Sequence, residues 1–414
     1  MRTLAGGMTG MALELPWEHV AEDLGLVIFL LLLAVFLFYG TINLLLELKF
    51  RPTPLGAPHP NPERVAIIVP IKDDPSIFNS IPYLRAIDYP HYEVLILDDS
   101  KDPAFRSRVD ALAGGKVRIL RRPTTRGRKG TALNFALESL AEYTPKFVVI
   151  LDADHRPPPD FLAKAVTAIE DTEAHCVVGY QRHDVGSTGF FGLTYRAGVA
   201  AAMRNLKARY DLRFGAFFPG SGAIFNYEWL HARGFDETSI TEDWELSFRC
   251  YSEGDFRIVV REDLWVSAAV PNSLWGLVQQ HIRWVAGTTR DFRKHARRLL
   301  RARLPLTTKI GLASQGLAGI QAAAFLLLGI VLPLPFPVKL PLWVSLGTLV
   351  FLGIAWGWPV VRGSKYEGYT LRQTVAVLAF GFVCAYVLAP FGAYAFFVGM
   401  IRNPTFWRVT KRRG

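Results

Sequence analysis

The sequence predicts an α/β domain with a mostly parallel sheet, held at a membrane by apolar helices. Three observations carry this. Between residues 65 and 151, four short apolar runs alternate with helical patterns, the arrangement of strands joined by crossover helices. Two of those runs end directly in paired carboxylates, Asp98-Asp99 and Asp152-Ala153-Asp154, where parallel sheets bind their ligands. On either side lie apolar stretches long enough to cross a bilayer.

The N-terminal segment, residues 1–50, contains the uncharged run 26–46, LVIFLLLLAVFLFYGTINLLL. A spanning helix needs roughly 20 apolar residues, and this run supplies them. It is too long for the core of a cleavable leader, and no small-residue cleavage site follows it. Glu14, Glu18, Glu22 and Asp23 precede it, whereas Lys49 and Arg51 follow it. Positive flanks stay in the cytoplasm, so the N-terminus is expected outside the cell membrane and residues 50–305 inside. Residues 51–63 are a stiff Pro-rich linker. Strands are expected at Val65–Val69, Tyr92–Leu97, Val117–Leu120 and Lys146–Leu151, with a helix over 130–142. Residues 64–285 then form the α/β domain. Residues 286–305 are basic with Phe292, Leu299 and Leu300 interleaved, as in a helix lying at a membrane interface.

Residues 306–401 hold three apolar segments, at about 310–334, 338–361 and 374–401. The tail 402–414 is basic and belongs inside. Three full crossings would put it outside, so one segment is expected to be interfacial or re-entrant. Pro390 singles out the last segment as the one to be broken.

The chain has 414 residues, half of them hydrophobic, and a net charge of +11. The basic clusters at 293–298 and 301–303 sit beside membrane segments, which favours anionic lipid headgroups as partners over nucleic acid. Three scattered cysteines, Cys176, Cys250 and Cys384, suggest neither a disulfide framework nor a metal site.

Six motifs carry the chemistry. Asp152-Ala153-Asp154 closes a strand, and carboxylates there can share a hard divalent cation with substrate phosphates. Such a cation neutralises a leaving diphosphate. His155 either completes that shell or contacts phosphate; the bland reading of all three is a solvated loop. Asp98-Asp99 can accept hydrogen bonds from a base edge or a ribose, or merely form an Asx turn. Asp73-Asp74 is a similar cap bordering the same pocket, with Asp73 assigned to the donor. Arg121 to Asn134 is a basic loop entering a helix, suited to phosphate oxygens but lacking the P-loop pattern. Thr241-Glu242-Asp243 offers a general base for inverting displacement, or a helix cap, or both. Gln280-His281-Ile282-Arg283-Trp284 offers an indole face for a sugar and an Arg for phosphate, or an interfacial anchor. Together they point to sugar transfer from a nucleotide-sugar donor.

These residues, in this order, resemble glycosyltransferase family 2. Within it they are similar to the membrane-integrated branch of cellulose, chitin-oligosaccharide, hyaluronan and poly-N-acetylglucosamine synthases and ceramide glucosyltransferases. The resemblance covers about residues 64–300, and the membrane C-terminus more loosely. It implies a GT-A-like catalytic domain, a Rossmann-like mixed sheet, plus transmembrane α-helices. It puts Asp99 in the nucleotide pocket and Lys129 near the diphosphate. Asp152 and Asp154 would hold uridine and Mg2+ or Mn2+, with Asp243 as the base. Gln280, Arg283 and Trp284 would bind donor diphosphate and acceptor sugar, with Glu242 also on the acceptor side. The tail segment Phe406 to Lys411 resembles a gating segment, with Thr410 and Lys411 as its contacts. Pro219, Asn226-Tyr227 and Asp74 depart from the cellulose synthase pattern.

The expected function is therefore an inverting transferase moving a sugar, from a UDP-sugar donor, onto a β-linked polysaccharide or a membrane-linked acceptor. The alternatives are a lipid glycosyltransferase making a single glycosyl-ceramide or glycosyl-diacylglycerol, and an inactive scaffold or transport subunit.

Overall fold

The structure, a computed structural model, describes residues 17–53, 57–58, 62–186, 189–331 and 342–404. Thr410, Lys411 and the rest of the tail from 405 onward lie outside the described residues, as do parts of the linker.

The strands are β1 (Val65–Ile71), β2 (Tyr92–Asp98), β3 (Val117–Leu120), β4 (Phe147–Ile150), β5 (Cys176–Val185), β6 (Ala223–Asn226) and β7 (Ile258–Ala269). The helices are α1 (Trp17–Lys49), α2 (Ser76–Arg85), α3 (Pro103–Asp110), α4 (Lys129–Ser139), α5 (Phe161–Thr172), α6 (Phe190–Asp211) and α7 (Tyr227–Arg233). They continue as α8 (Glu242–Glu253), α9 (Leu274–Arg301), α10 (Leu306–Gly316), α11 (Ile320–Val331), α12 (Leu342–Tyr366) and α13 (Leu371–Ile401).

One sheet runs in the order β3-β2-β1-β4-β6-β5-β7. The four strands expected from the sequence are its parallel half, β1 lying between β2 and β4. Both faces of β1 are buried: Val65, Ile67 and Val69 enter one core, and Ala66 and Ile68 the other. Burial on both faces is why these strands read as unbroken apolar runs. The other half is mixed. β6 is antiparallel to β4 and β5, and β7 pairs parallel with β5. The pairing of β5 with β7 slips between Gly179 and Tyr180, where the partner jumps from Arg261 to Trp265. Gly179 permits this, because a Cβ there would stand 2.6 Å from the Leu264 carbonyl oxygen.

Among the described residues, three helices are long and apolar enough to cross a membrane, in α1, α12 and α13. α10 and α11 make a fourth candidate only as a pair, bent by 59°. The break expected at Pro390 is absent, since α13 runs unbroken from Leu371 to Ile401. It falls instead between α10 and α11, where glycines let backbones approach. Gly316 abuts the Phe292 ring, and Gly319 packs on Val285 and Phe396. In an apolar helix packed on neighbours, the backbone group that Pro390 frees is tolerated.

Both ends of α13 meet the α/β domain. Beside its start, the Tyr369 hydroxyl donates to the Leu193 carbonyl at 3.2 Å, and Arg196 pairs with Glu367 at 2.8 Å. Just past its end, Arg293 donates to the Asn403 side chain at 3.1 Å, and Arg128 to the Pro404 carbonyl at 3.4 Å. Its 31 residues reach roughly 46 Å at 1.5 Å per residue, so the helix runs along the domain instead of away from it.

Candidate active site

A cleft opens at the carboxyl ends of β1, β2 and β4. Asp99, Lys129, Asp152, Asp154, Glu242, Asp243, Gln280, Arg283 and Trp284 all line it. Asp73 does not. It turns back with φ 50°, and its carboxylate accepts from the Lys101 and Asp102 amides at 3.1 and 3.4 Å. Its neighbour Asp74 faces the cleft instead. Asp98 is buried and accepts from the Ser100 amide and from Arg121, whereas Asp99 is held by both ends of the Arg122 guanidinium. The basic loop thus fixes the second-strand carboxylates before it meets any ligand.

Asp152, Asp154 and His155 bring one ligand atom each within 4.8 Å of one another. Asp154 is aimed by the Ala269 amide, which donates to it at 2.7 Å. Ser221 orients the histidine. Its hydroxyl accepts from the Asp152 amide at 2.8 Å, faces the Ile150 carbonyl at 3.4 Å and meets His155 Nδ1 at 3.1 Å. One arrangement satisfies all three contacts: Ser221 donates to Ile150 and accepts from both others. That leaves Nε2 of His155 with a lone pair, buried and without a hydrogen-bond partner among the described residues. Burial pushes the His155 pKa down to about 4, which keeps the ring neutral. Two carboxylates suit a hard divalent cation such as Mn2+, and the imidazole lone pair can complete its shell. The residues present fit a metal.

Beside this cluster, Lys129 donates to Asp152 at 3.1 Å and to the Gly220 carbonyl at 3.0 Å, and lies 3.5 Å from Glu242. Burial works against its charge, but Asp152, Glu242 and Asp243 together hold its pKa above the ordinary lysine value. Asp243 stands beside this group. Burial first, then the Glu242 charge, push its pKa up to about 7 against the opposing pull of Lys129 and Arg283. Gly220 makes room for it. At φ +88°, a Cβ there would meet Asp243 Oδ2 at 2.7 Å. A side chain at 220 would suffer both backbone strain and collision with the carboxylate.

Thr241 occupies the N-cap position of α8, yet its side chain caps nothing. Its hydroxyl donates instead to Asp291 on α9 at 2.7 Å. Of the two readings of this motif, the capping hydrogen bond is absent. α9 also carries Gln280, Arg283 and Trp284 toward the cleft, because positions three and four apart share a helix face. Gln280 is buried with its carbonyl oxygen unpartnered among the described residues, and so is Arg283 Nε. Trp284 is 40% exposed, leaving an indole face open. α9 begins at Leu274, well before the expected interfacial segment, and buries Arg290, Asp291 and His295.

Sequence reading missed four residues here. His183 and Tyr195 line the cleft from β5 and α6, their rings edge to face at 5.1 Å. Ser221 orients His155, and Asp291 ties Thr241. Only Asp291 left a trace, as the lone acid in the basic stretch 286–303.

The description glycosyl transferase family group 2 matches residues 147–400. Probable glucomannan 4-beta-mannosyltransferase 1 of Arabidopsis thaliana is 26% identical over 247 residues, 56% of this chain and 44% of that protein. Glucomannan 4-beta-mannosyltransferase 2 of the same plant is 25% identical over 332 residues, 71% of this chain and 61% of that one. The chain thus spans about half the length of the curated relatives it matches. Among solved structures, the mannosyltransferase PcManGT from Pyrobaculum calidifontis, in complex with GDP-Man and Mn2+, superposes with a TM-score of 0.59. It is 20% identical, and the superposition covers 92% of this chain and 99% of that one. At that identity the likeness is one of fold, a GT-A-like sheet with its helices.

Asp154→Ala is expected to weaken Mn2+ binding by at least about tenfold, since even outer-shell changes at metal sites cost 10–100-fold. Titration of the purified protein with Mn2+, followed by electron paramagnetic resonance, checks this. Unchanged affinity would remove Asp154 from the metal shell.

Proposed function

The chain is a glycosyltransferase and belongs to glycosyl transferase family group 2; from that premise we propose an inverting hexosyl transfer, from GDP-mannose onto a β-linked polysaccharide. The observation that supports it best is the convergence of two groups on one cleft: the Asp152, Asp154 and His155 cluster, and the half-buried Asp243 beside Lys129, which reaches Asp152 at 3.1 Å and Glu242 at 3.5 Å. The sequence alone favoured a UDP-sugar. The GDP-Man bound to the fold neighbour and the mannosyltransferase names of the relatives move the reading to GDP-mannose.

In this mechanism Asp243 accepts the proton of the acceptor hydroxyl. The freed oxygen attacks the anomeric carbon on the face opposite the nucleotide, a new C–O bond forms, and the bond to the diphosphate breaks with inversion. A divalent cation held by Asp152, Asp154 and His155 would supply charge neutralisation for the leaving diphosphate. Lys129 and Arg283 add fixed positive charge on that side, and Asp99 and Asp74 border the nucleoside. Glu242, Gln280 and the Trp284 indole hold the acceptor sugar, the indole by stacking on its apolar face.

A second reading has a membrane-linked acceptor. Gly392 of the apolar helix α13 packs on His281, next to Gln280, so the acceptor end of the cleft borders a membrane-facing helix. Partition of the product between organic extract and water-soluble polymer separates the two. Labelled GDP-mannose, offered beside UDP-glucose and UDP-N-acetylglucosamine to the protein in membranes, is expected to be the donor incorporated. Incorporation from a UDP-sugar alone would overturn the donor assignment.

Asp243→Asn is expected to lower turnover by ~10²–10⁴-fold with donor affinity nearly unchanged, the usual loss on removing a general base. A base works only when ionised. With its pKa pushed up to about 7, the active fraction of Asp243 falls as pH drops below that value. Turnover is therefore expected to decline on the acid side near neutrality, well above the range of an ordinary carboxylate. Substantial turnover in Asp243→Asn would remove the residue from this role.

The topology follows from α13. If its two ends rest on a cytoplasmic domain, it lies in the plane of the inner leaflet, and α1, the α10–α11 pair and α12 are the crossings. The basic tail then stays inside without conflict of parity. Pro404, the last described residue, accepts from Arg128, which lines the cleft, and this supports assigning Thr410 and Lys411 of the tail to the donor. A cysteine at Thr410, in a variant lacking Cys384, is expected to react with an impermeant thiol reagent only after the cells are opened. Labelling of intact cells would sink this arrangement.

A further inference from the structure

Asp291 is fully buried on α9, two helical turns beyond Arg283, and touches no part of the cleft. Its Oδ2 accepts two hydrogen bonds at 2.7 Å, one from the Ser239 hydroxyl and one from the Thr241 hydroxyl. The Ser239 oxygen in turn accepts from the Thr241 amide at 3.0 Å. Thr241 is thus held twice by one carboxylate, by its side chain directly and by its backbone through Ser239. The other oxygen, Oδ1, accepts from Arg290. Arg290 also donates to the Thr238 hydroxyl at 2.9 Å and lies 3.5 Å from Asp236. Gly287, one turn earlier, fits against Thr241 so closely that any Cβ would collide with it. One helix face therefore grips the whole segment 236–241, which leads without a break into Glu242 and Asp243.

A carboxylate buried this deeply is costly unless every lone pair is used, and here the partners are hydroxyls and one guanidinium. A packed apolar residue would be the cheaper way to fill the space. What the carboxylate adds is direction: it fixes the position of Thr241, two residues before Asp243, relative to the helix that carries Gln280, Arg283 and Trp284.

We propose that Asp291 is a positioning residue, which sets the Asp243 carboxylate against the acceptor site by holding Thr241 and Ser239 to α9. The inference rests on the reading of Asp243 as the base. It makes α9 a single rigid bracket: the same helix holds the acceptor sugar and fixes the group that takes its proton. Misplacing a reacting group by about 1 Å can cost 10²-fold in rate, so the bracket is where turnover is set.

The test uses the full chain in membranes or detergent and four variants. Asp291→Ala is expected to lower kcat by roughly 10²-fold, with donor KM and nucleotide binding within about threefold of wild type. Thr241→Val removes one hydroxyl at constant shape and is expected to lose about tenfold in kcat, because Asp243 is then held less firmly in its reacting position. Thr241→Ser restores the hydroxyl and is expected to recover most of that loss. The acid limb of the pH profile should move in Asp291→Ala and Thr241→Val and return in Thr241→Ser. Three results would overturn the proposal: kcat within twofold of wild type in Asp291→Ala; a loss confined to donor KM; or a loss accounted for by the fraction of protein that no longer binds nucleotide, with the pH profile unmoved. Asp243→Asn, run alongside, separates the two levels. If it turns over normally, the base assignment fails. If it is dead while Asp291→Ala is normal, only the positioning role fails.

Discussion

The ammonium of Lys129 is the contact on which the cleft depends. Asp152, Asp154, Glu242 and Asp243 converge there, and four carboxylates cannot be brought together out of water without compensation. Lys129 lies between Asp152 and Glu242, and its hydrogen bond to the Gly220 carbonyl fixes the loop that seats Asp243. It is placed at the first residue of α4, where a helix begins right after the basic loop. The charge it leaves uncompensated makes the Asp152, Asp154 and His155 cluster attractive to a cation, whereas burial first, and then the Glu242 charge, hold Asp243 close to its proton at neutral pH.

Much of this was legible in the sequence, for a physical reason. Strands β1, β2 and β4 are buried on both faces, so they read as apolar runs, and the carboxylates following β2 and β4 stand out at their ends. The second half of the sheet was not legible. β5 and β7 carry Arg182, His183, Asp184, Arg261, Glu262 and Asp263 within the strands, and a register slip at Gly179 breaks the alternation that marks a strand. His183 and Tyr195 were invisible because nothing nearby in sequence marks them as lining a cleft. Pro390 misled for the opposite reason: a proline is a strong local cue, but packing against α9 and α11 overrides it. The actual break, at 317–319, lies between two glycines whose role is close approach to Phe292, Val285 and Phe396, contacts no local pattern encodes.

α9 joins the parts of the molecule that sequence motifs treat as separate. Its first turns carry Gln280, Arg283 and Trp284. Its middle holds Thr241 through Asp291. Further on, Lys294 and His295 fix Glu245 on α8 at 3.1 and 2.9 Å. Its outer side packs along α13, where Gly392 and Gly399 lie against His281 and Ala286. The basic residues that suggested a membrane surface are thus partly turned inward, spent on orienting the helix that bears the acidic pair Glu242 and Asp243.

The attachment of α13 at both ends also decides how the molecule meets bilayers of different depth. A spanning helix answers a thicker or thinner bilayer by changing its tilt. α13 cannot do so without parting Tyr369 from Leu193 or Arg293 from Asn403, and its apolar side chains Val375, Phe382, Val383 and Phe397 face outward along its length. With α13 laid against a membrane as proposed, the height of the cleft above the hydrocarbon would be a dimension of the protein and not of the lipid.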